Sequence, residues 1–372
     1  MNRRKKIFIT GGHITPAVAL IEELTQRGGW EIVFVGRSTA IEGAKHAAYE
    51  RNIVESFGVA FLPITTGRLQ RTLSLYTITS LCKVPIGLIQ ALYYIAKKKP
   101  EIVMSFGGYI ALPIVIAASL FGIPVVTHEQ TLVPGLANRI IARFAKKVCV
   151  TFAEARDFFP ASKVVLTGLP MRQSMLNSDW VPPVSRNIRK RPFFYITGGS
   201  TGAVSVNALL FPLIAQWTKK YSVVHQTGKI SLPKATSFRE TISDAQKERY
   251  VVADYFDAPT HGWLLKHSQL VIGRSGANTV IELALFGTVA LFIPLPWSAG
   301  DEQKMNAQWL AKHGGAIVLN QKGLRSQDIE QTVDKLIAER EVYSTRAKRF
   351  SALISTDGAV NVANELSALI LS

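Results

Sequence analysis

The chain has 372 residues, more than one hydrophobic core usually organises, so its length favours two domains. A hydrophobic fraction of 48% and a charged fraction of 19% describe a folded globular protein and exclude a disordered chain. The two cysteines, Cys82 and Cys149, are too far apart and too few for a disulfide framework or a thiolate metal site and fit a reducing cytoplasm, while a net charge of +17 calls for an anionic partner: a phosphorylated ligand, an acidic membrane surface or nucleic acid.

The basic start at residues 1–6 runs through one strand's length of apolar residues into Thr10-Gly11-Gly12, which reads as a strand and turn and not as a signal peptide. β-rich runs at 7–9, 32–35, 102–105 and 125–127 alternate with helix-period segments at 17–26, 41–52 and 112–121. That alternation predicts βαβ units on a parallel sheet. The longest apolar stretch, 110–126, is broken by Pro113, Ser119, Gly122 and Pro124 and reads as a buried helix followed by a strand. After the junction Thr167-Gly168-Leu169-Pro170 the rhythm restarts, with strands at 193–197, 221–226, 270–272 and 289–293 and helices at 205–218 and 277–286. A surface loop at 181–191 and an apolar closing helix at 360–371 complete the chain. The expected fold class is α/β, two doubly wound domains whose ligands sit at the carboxyl ends of the strands, with an interdomain cleft as the expected site.

Four segments carry chemistry. Thr10-Gly11-Gly12-His13-Ile14-Thr15-Pro16-Ala17 joins a strand, a glycine turn and a helix start, where free N–H groups and the helix dipole suit a phosphate. Two glycines alone fit an ordinary tight turn equally well. No GK[ST] follows, which excludes a P-loop, and G-x-G-x-x-G is absent. His13 is the candidate general base by its loop position. Gly198-Gly199-Ser200-Thr201-Gly202-Ala203 is the counterpart turn of the second half. The third segment, 273–306, holds Arg274-Ser275-Gly276-Ala277-Asn278-Thr279, then Glu282, then Gln303 and Asn306. Its helix start suits a diphosphate, and a carboxylate in the first two helical turns can accept from vicinal ribose hydroxyls. The polar run 301–306 suits sugar hydroxyls. Ser105-Phe106-Gly107-Gly108-Tyr109 and His128-Glu129-Gln130 are neighbouring strand ends that would face an acceptor, although a His-Glu-Gln at a strand end reads as readily as a satisfied polar cluster.

Taken in order, Thr10-Gly11-Gly12-His13 with Pro16-Ala17, Gly107-Gly108-Tyr109, His128-Glu129-Gln130 with Gly135-Leu136-Ala137-Asn138-Arg139, Gly198-Gly199-Ser200 with Gly202-Ala203, Arg274-Ser275-Gly276-Ala277 with Glu282, and Gln303 with Asn306-Ala307 resemble the MurG family, the N-acetylglucosaminyltransferases of peptidoglycan synthesis. The resemblance spans nearly the whole chain. It implies a GT-B fold with an acceptor and membrane-associating domain over 1–168, a UDP-sugar donor domain over 169–351, and a C-terminal helix within 352–372 that returns to the first domain. It implies an inverting transfer from UDP-N-acetylglucosamine to undecaprenyl-diphosphate-linked muramoyl peptide, without a cofactor or metal, at the cytoplasmic face of the bacterial membrane. Arg172, Phe256 and Glu282 would hold the uridine, Ser200 and the amides of Ala277, Asn278 and Thr279 the diphosphate, and Gln303 the sugar. Gly11, Gly12, His13, Gly108, Tyr109, His128, Glu129 and Asn138 would line the acceptor side. The chain departs from the family pattern at Phe8-Ile9, where glycines are usual, and at Thr131, Thr201 and Glu302.

Basic residues Arg68, Arg71 and Lys83 and the run Lys97-Lys98-Lys99, interspersed with Leu69, Leu73, Leu75, Tyr76, Leu81, Ile86 and Leu88, form a basic-flanked apolar segment suited to an anionic bilayer surface. Dispersed charge and no recognition motif argue against nucleic acid. A UDP-N-acetylglucosamine 2-epimerase or a glycolipid synthase would share the donor features and differ on the acceptor side.

Overall fold

The computed structural model describes residues 3–37, 49–67, 75–176, 180–188, 190–199 and 202–371. The chain forms two compact units, one of residues 1–173 with 356–372, the other of residues 174–355.

The first unit runs β1 (Lys5–Thr10), α1 (Ile14–Arg27), β2 (Trp30–Gly36), α2 (Tyr49–Ser56), β3 (Ala60–Pro63), α3 (Leu75–Lys98), β4 (Ile102–Ser105), α4 (Gly108–Leu120), β5 (Val125–Glu129), α5 (Leu136–Phe144), β6 (Lys147–Val150) and β7 (Val164–Leu166). Its seven strands are all parallel, in the order β3-β2-β1-β4-β5-β6-β7. Helices on both faces bury them, which is why β4 and β5 are buried at every position, without alternation. The expected helix and strand within 110–126 are α4 and β5. Ile7, Ile9, Leu20, Ile21, Leu24, Phe34, Met104 and Phe106 form the centre of this core.

The second unit begins with the short helices α6 (Gln173–Leu176) and α7 (Ser185–Ile188). It continues with β8 (Phe193–Thr197), α8 (Val204–Trp217), β9 (Ser222–Gln226), α9 (Leu232–Thr241), α10 (Asp244–Lys247), β10 (Tyr250–Ala253), α11 (Ala258–His267), β11 (Leu270–Gly273), α12 (Ala277–Phe286), β12 (Ala290–Phe292), α13 (Glu302–Lys312), β13 (Ala316–Val318), α14 (Ser326–Ala338) and α15 (Arg340–Ser351). Six parallel strands take the order β10-β9-β8-β11-β12-β13. Phe194, Ile196, Leu210, Ile214, Val223, Ile272 and Leu291 lie at the heart of its core.

The final helix, α16 (Gly358–Leu371), belongs to the first unit. Val362, Ala363 and Leu366 are fully buried in that unit's core against α1. Arg27 fixes the helix, donating to Asn364 Oδ1 at 2.8 Å and to the Val360 carbonyl at 3.1 Å, and Asn361 donates to the Thr167 carbonyl at 3.0 Å. Gly358 is forced by contact: a Cβ there would stand 2.2 Å from the Leu169 carbonyl oxygen.

Truncating fully buried Leu366 leaves a cavity in this core. Leu366→Ala should lower the stability of the first unit by about 2–5 kcal/mol, read as an earlier transition in urea unfolding.

Candidate active site

Both sheets are wound outward from one central pair, β1 with β4 and β8 with β11, so the loops leaving each pair diverge and open a crevice at the carboxyl ends. In the first unit the pair ends in register at Thr10 and Ser105. Phe106 N–H donates to the Thr10 carbonyl at 2.7 Å and Gly12 N–H to the Gly107 carbonyl at 3.0 Å, which stitches the two outgoing turns together. At Gly11, with φ of 144°, a Cβ would come within 2.8 Å of the Phe106 backbone.

His13 caps α1. Its Nδ1 lies 3.0 Å from the Phe106 carbonyl oxygen. A carbonyl only accepts, so Nδ1 carries the proton and a neutral His13 presents the lone pair of Nε2, the form a general base needs. Tyr109, at the start of α4, receives Arg37 Nη1 on its hydroxyl at 2.5 Å.

His128, Glu129 and Gln130 are buried, at 0%, 2% and 0% exposure. They form a buried polar cluster at the end of β5, in which the side chains of His128 and Glu129 turn inward and Gln130 Oε1 has no partner among the described residues. Glu129 Oε1 accepts from the Thr131 N–H at 2.9 Å and its hydroxyl at 2.7 Å; Glu129 Oε2 accepts from Asn138 Nδ2 at 2.6 Å. Asn138 Oδ1 in turn accepts from the Gly108 N–H at 3.1 Å. Thr131, one of the departures from the family pattern, is therefore the residue that anchors the buried carboxylate. His128 Nε2–H donates to the Gly168 carbonyl at 3.0 Å, and burial pulls the imidazole's pKa down to about 4, so it is neutral at pH 7. Gly107 has φ of 73°, and a Cβ there would overlap the Asn138 amide.

In the second unit the central pair ends at Thr197 and Gly273. The turn after β8 reaches Gly199, whose N–H donates to Thr197 Oγ1 at 3.1 Å. Ser200 and Thr201 lie outside the described residues. The turn after β11 leads through Gly276 into α12, whose first amides, those of Ala277, Asn278 and Thr279, have no acceptor within the helix. Buried Arg274 is structural: Nη1 donates to the Ile293 carbonyl at 2.8 Å and Nη2 to Ser205 Oγ at 2.9 Å, tying the loop to the end of β12 and the start of α8. Gln303 Oε1 accepts from the Leu295 N–H at 3.0 Å and its carbonyl accepts from Ser275 Oγ at 2.7 Å, so α13 is locked to the α12 turn. A cavity of about 400 Å³ opens beside it, lined in part by Leu295, Asp301, Lys304 and Asn320.

Glu282, on α12, is 5% exposed. Its Oε2 lies 3.3 Å from His261 Nε2, and His261 Nδ1 lies 2.7 Å from the hydroxyl of fully buried Tyr195. That hydroxyl is also 3.3 Å from Gln226 Oε1, which accepts from the Phe256 N–H at 3.0 Å, while Gln226 Nε2 donates to the Gly199 carbonyl at 3.0 Å. Tyr195, Gln226 and His261 were not singled out by the sequence; the only trace is the turn Gln226-Thr227-Gly228 closing a predicted strand. Arg172, expected near the uridine, belongs to the first unit, where its Nε pairs with Glu22 at 2.8 Å and its guanidinium lies over the Phe57 ring. Among the described residues no group of three or more His, Cys, Asp or Glu could hold a metal ion.

The N-terminal domain of glycosyltransferase family 28 matches residues 10–150 and its C-terminal domain matches residues 193–362. The chain belongs to glycosyltransferase family 28. Family 28 relatives of nearly full length include the UDP-N-acetylglucosamine--N-acetylmuramyl-(pentapeptide) pyrophosphoryl-undecaprenol N-acetylglucosamine transferase of Lachnospira eligens, 33% identical over 98% of this chain and 99% of the relative. The protein of the same name from Clostridium botulinum strain 657 is 35% identical over 91% of this chain and 93% of the relative. The crystal structure of Acinetobacter baumannii MurG superposes with a TM-score of 0.71 at 26% identity, over 98% of this chain and 99% of that one. A UDP complex of S. aureus MnaA has the same TM-score, 0.71, at 14% identity, which shows the fold alone. The family 28 chain is thus a glycosyltransferase of two Rossmann-like domains, as the strand alternation and the motif order predict.

The Asn138 bridge gives the first unit's site a measurable weak point. Asn138→Ala strands the Gly108 N–H and one oxygen of a buried carboxylate, and should lower thermal and urea stability by about 3 kcal/mol.

Proposed function

We propose that this enzyme moves N-acetylglucosamine from UDP-N-acetylglucosamine to the muramyl sugar of undecaprenyl-diphosphate-linked muramoyl peptide, converting lipid I to lipid II in peptidoglycan precursor synthesis. The observation that carries this reading is full-length identity of 33–35% to transferases named for that reaction. The site geometry supports it.

In this reading the second unit holds the donor. Glu282 accepts from the ribose hydroxyls. The Phe256 backbone meets the uracil through its carbonyl, since its N–H is engaged by Gln226. Arg172, assigned to the uridine by the family resemblance, has its Nε held by Glu22. The amides of Ala277, Asn278 and Thr279, with Ser200, face the diphosphate, and Gln303 faces the sugar. The first unit holds the acceptor through the turns at Gly11, Gly12 and Gly108, with Tyr109 beside them, while Asn138, Glu129 and His128 hold those turns in place. The acceptor hydroxyl attacks the anomeric carbon and gives its proton to His13 Nε2 as the bond to the β-phosphate oxygen breaks and UDP leaves. The cost of the step is negative charge on the departing diphosphate. Preorganised amides at the start of α12 reduce it without reorganising. No step calls for a metal or a cofactor, and nucleic acid has no place in the reading.

A lipid-linked acceptor requires access to a membrane, at its cytoplasmic face where the nucleotide sugar is available. Among the described residues no helix is long and apolar enough to cross a bilayer. Ile86, Ile89 and Tyr93 on α3 are 48%, 67% and 55% exposed, and Lys97, one helical turn beyond, donates to the Tyr93 hydroxyl. Leu120 and Phe121, at the end of α4, are 69% and 51% exposed. We assign this apolar and basic surface to a peripheral contact with anionic lipid. Arg68, Leu69, Arg71 and Leu73 of the same segment lie outside the described residues.

Incubation with radiolabelled UDP-N-acetylglucosamine and lipid I should give labelled lipid II, with UDP-N-acetylgalactosamine inert. In that assay His13→Ala should lower kcat by about 10²–10⁴-fold and leave the donor KM within a few fold; a kcat near wild type removes His13 from the base role. In flotation with phosphatidylglycerol vesicles the protein should bind in a salt-sensitive manner, and Ile89→Glu should reduce the bound fraction several-fold. Equal flotation of the variant would place the lipid contact elsewhere.

A further inference from the structure

We propose that His261, held in a single tautomer by Tyr195, positions the Glu282 carboxylate for the ribose hydroxyls and thereby sets the enzyme's preference for a ribonucleotide over a 2′-deoxyribonucleotide. This rests on the reading that Glu282 holds the ribose.

A buried carboxylate needs hydrogen-bond partners to remain charged and fixed. Among the described residues, Glu282 has one hydrogen-bond partner, His261 Nε2 at 3.3 Å. An ionised carboxylate only accepts, so Nε2 carries a proton. In the tautomer with Nε2 protonated, Nδ1 carries a lone pair, and the group facing it at 2.7 Å is the Tyr195 hydroxyl. Burial drives the Tyr195 phenol well above its ordinary pKa, so it stays a donor at any working pH. The Tyr195 hydroxyl faces two acceptors, a His261 Nδ1 lone pair at 2.7 Å and Gln226 Oε1 at 3.3 Å, and the shorter contact sets the order of donors in the neutral ring: Tyr195 to His261, His261 to Glu282. The rings of Tyr195 and His261 also meet edge to face with centroids 5.5 Å apart, which restrains the imidazole against rotation.

The consequence lies at Glu282. A carboxylate has about four lone-pair positions, and one hydrogen bond from His261 leaves room for two hydroxyls. Without His261 the side chain would lose the contact that selects its rotamer, and a carboxylate free to rotate cannot favour a vicinal diol over a single hydroxyl. The same Tyr195 hydroxyl lies 3.3 Å from Gln226 Oε1, and the Gln226 amide is oriented by the Phe256 N–H on one side and the Gly199 carbonyl on the other. His261 is therefore tied to the parts of the fold that meet the base and the phosphates. It touches none of the reacting atoms and is a positioning residue.

The test is calorimetric titration of the full chain with UDP and with 2′-deoxy-UDP, read as the ratio of the two Kd values. Wild type should favour UDP by about 10-fold or more, the effect of one hydrogen bond to a charged group. His261→Ala should bring the ratio to within about 3-fold of unity, and His261→Gln, whose amide can still donate to Glu282, should recover most of it. Tyr195→Phe, nearly isosteric, should lower the ratio by releasing the tautomer while leaving the fold intact, and it carries the test if His261→Ala fails to fold. A merely structural His261 would change stability and both Kd values together and leave the ratio unmoved. A discriminating wild type with an unchanged ratio in His261→Ala, or in Tyr195→Phe where His261→Ala does not fold, overturns this proposal alone. A wild type that binds both nucleotides equally overturns the ribose reading of Glu282, and this proposal with it.

Discussion

In a parallel sheet wound both ways from one pair of strands, the loops leaving that pair must part, and the backbone amides around the gap find no partner in the sheet. Each unit of this enzyme has such a pair, ending at Thr10 and Ser105 in one and at Thr197 and Gly273 in the other. The glycine turns and the start of α12 lie there, where several N–H groups come together. The strands can be short, as β4 and β11 are at four residues each, because their task is to end in register.

Loops that diverge must be held, and both units solve this with a buried side-chain amide. Asn138 accepts from the Gly108 N–H and donates to Glu129; Gln226 accepts from the Phe256 N–H and donates to the Gly199 carbonyl. An amide is suited to this because it presents a donor and an acceptor a fixed distance apart, so a single residue can bind an N–H of one loop and a C=O or carboxylate of another. Buried networks of this kind stabilise only when every member is paired, which makes them specific as well as rigid.

Much of this was legible before any coordinates. Strand and helix alternation marked both domains, because a strand buried on two faces and a helix after a glycine turn leave plain signals. The edge strands were not marked: β13, Ala316–Val318, pairs with β12 alone, and that pairing depends on a neighbour and not on its own composition. The glycine turns and the start of α12 at Ala277 were legible in local sequence, since a turn into a helix is a local device. The direction of a side chain was not. His128 and Glu129 sit at a strand end, yet burial on both faces of β5 and their bonds with Gly168 and Asn138 turn their polar atoms inward. The Tyr195–His261–Glu282 chain was invisible for a related reason: its members come from β8, α11 and α12 and meet only when the sheet has formed.

The return of α16 to the first unit has a consequence for how the protein comes into being. A ribosome releases β1 through β7 long before it reaches Leu366, so the first core waits without Val362, Ala363 and Leu366 while the entire second unit is made. Residues 174–355 are contiguous and can close their core as they emerge. Synthesis order and domain order are therefore reversed: the unit begun first is completed last, and a message cut short near its end yields a finished second unit attached to an unfinished first one.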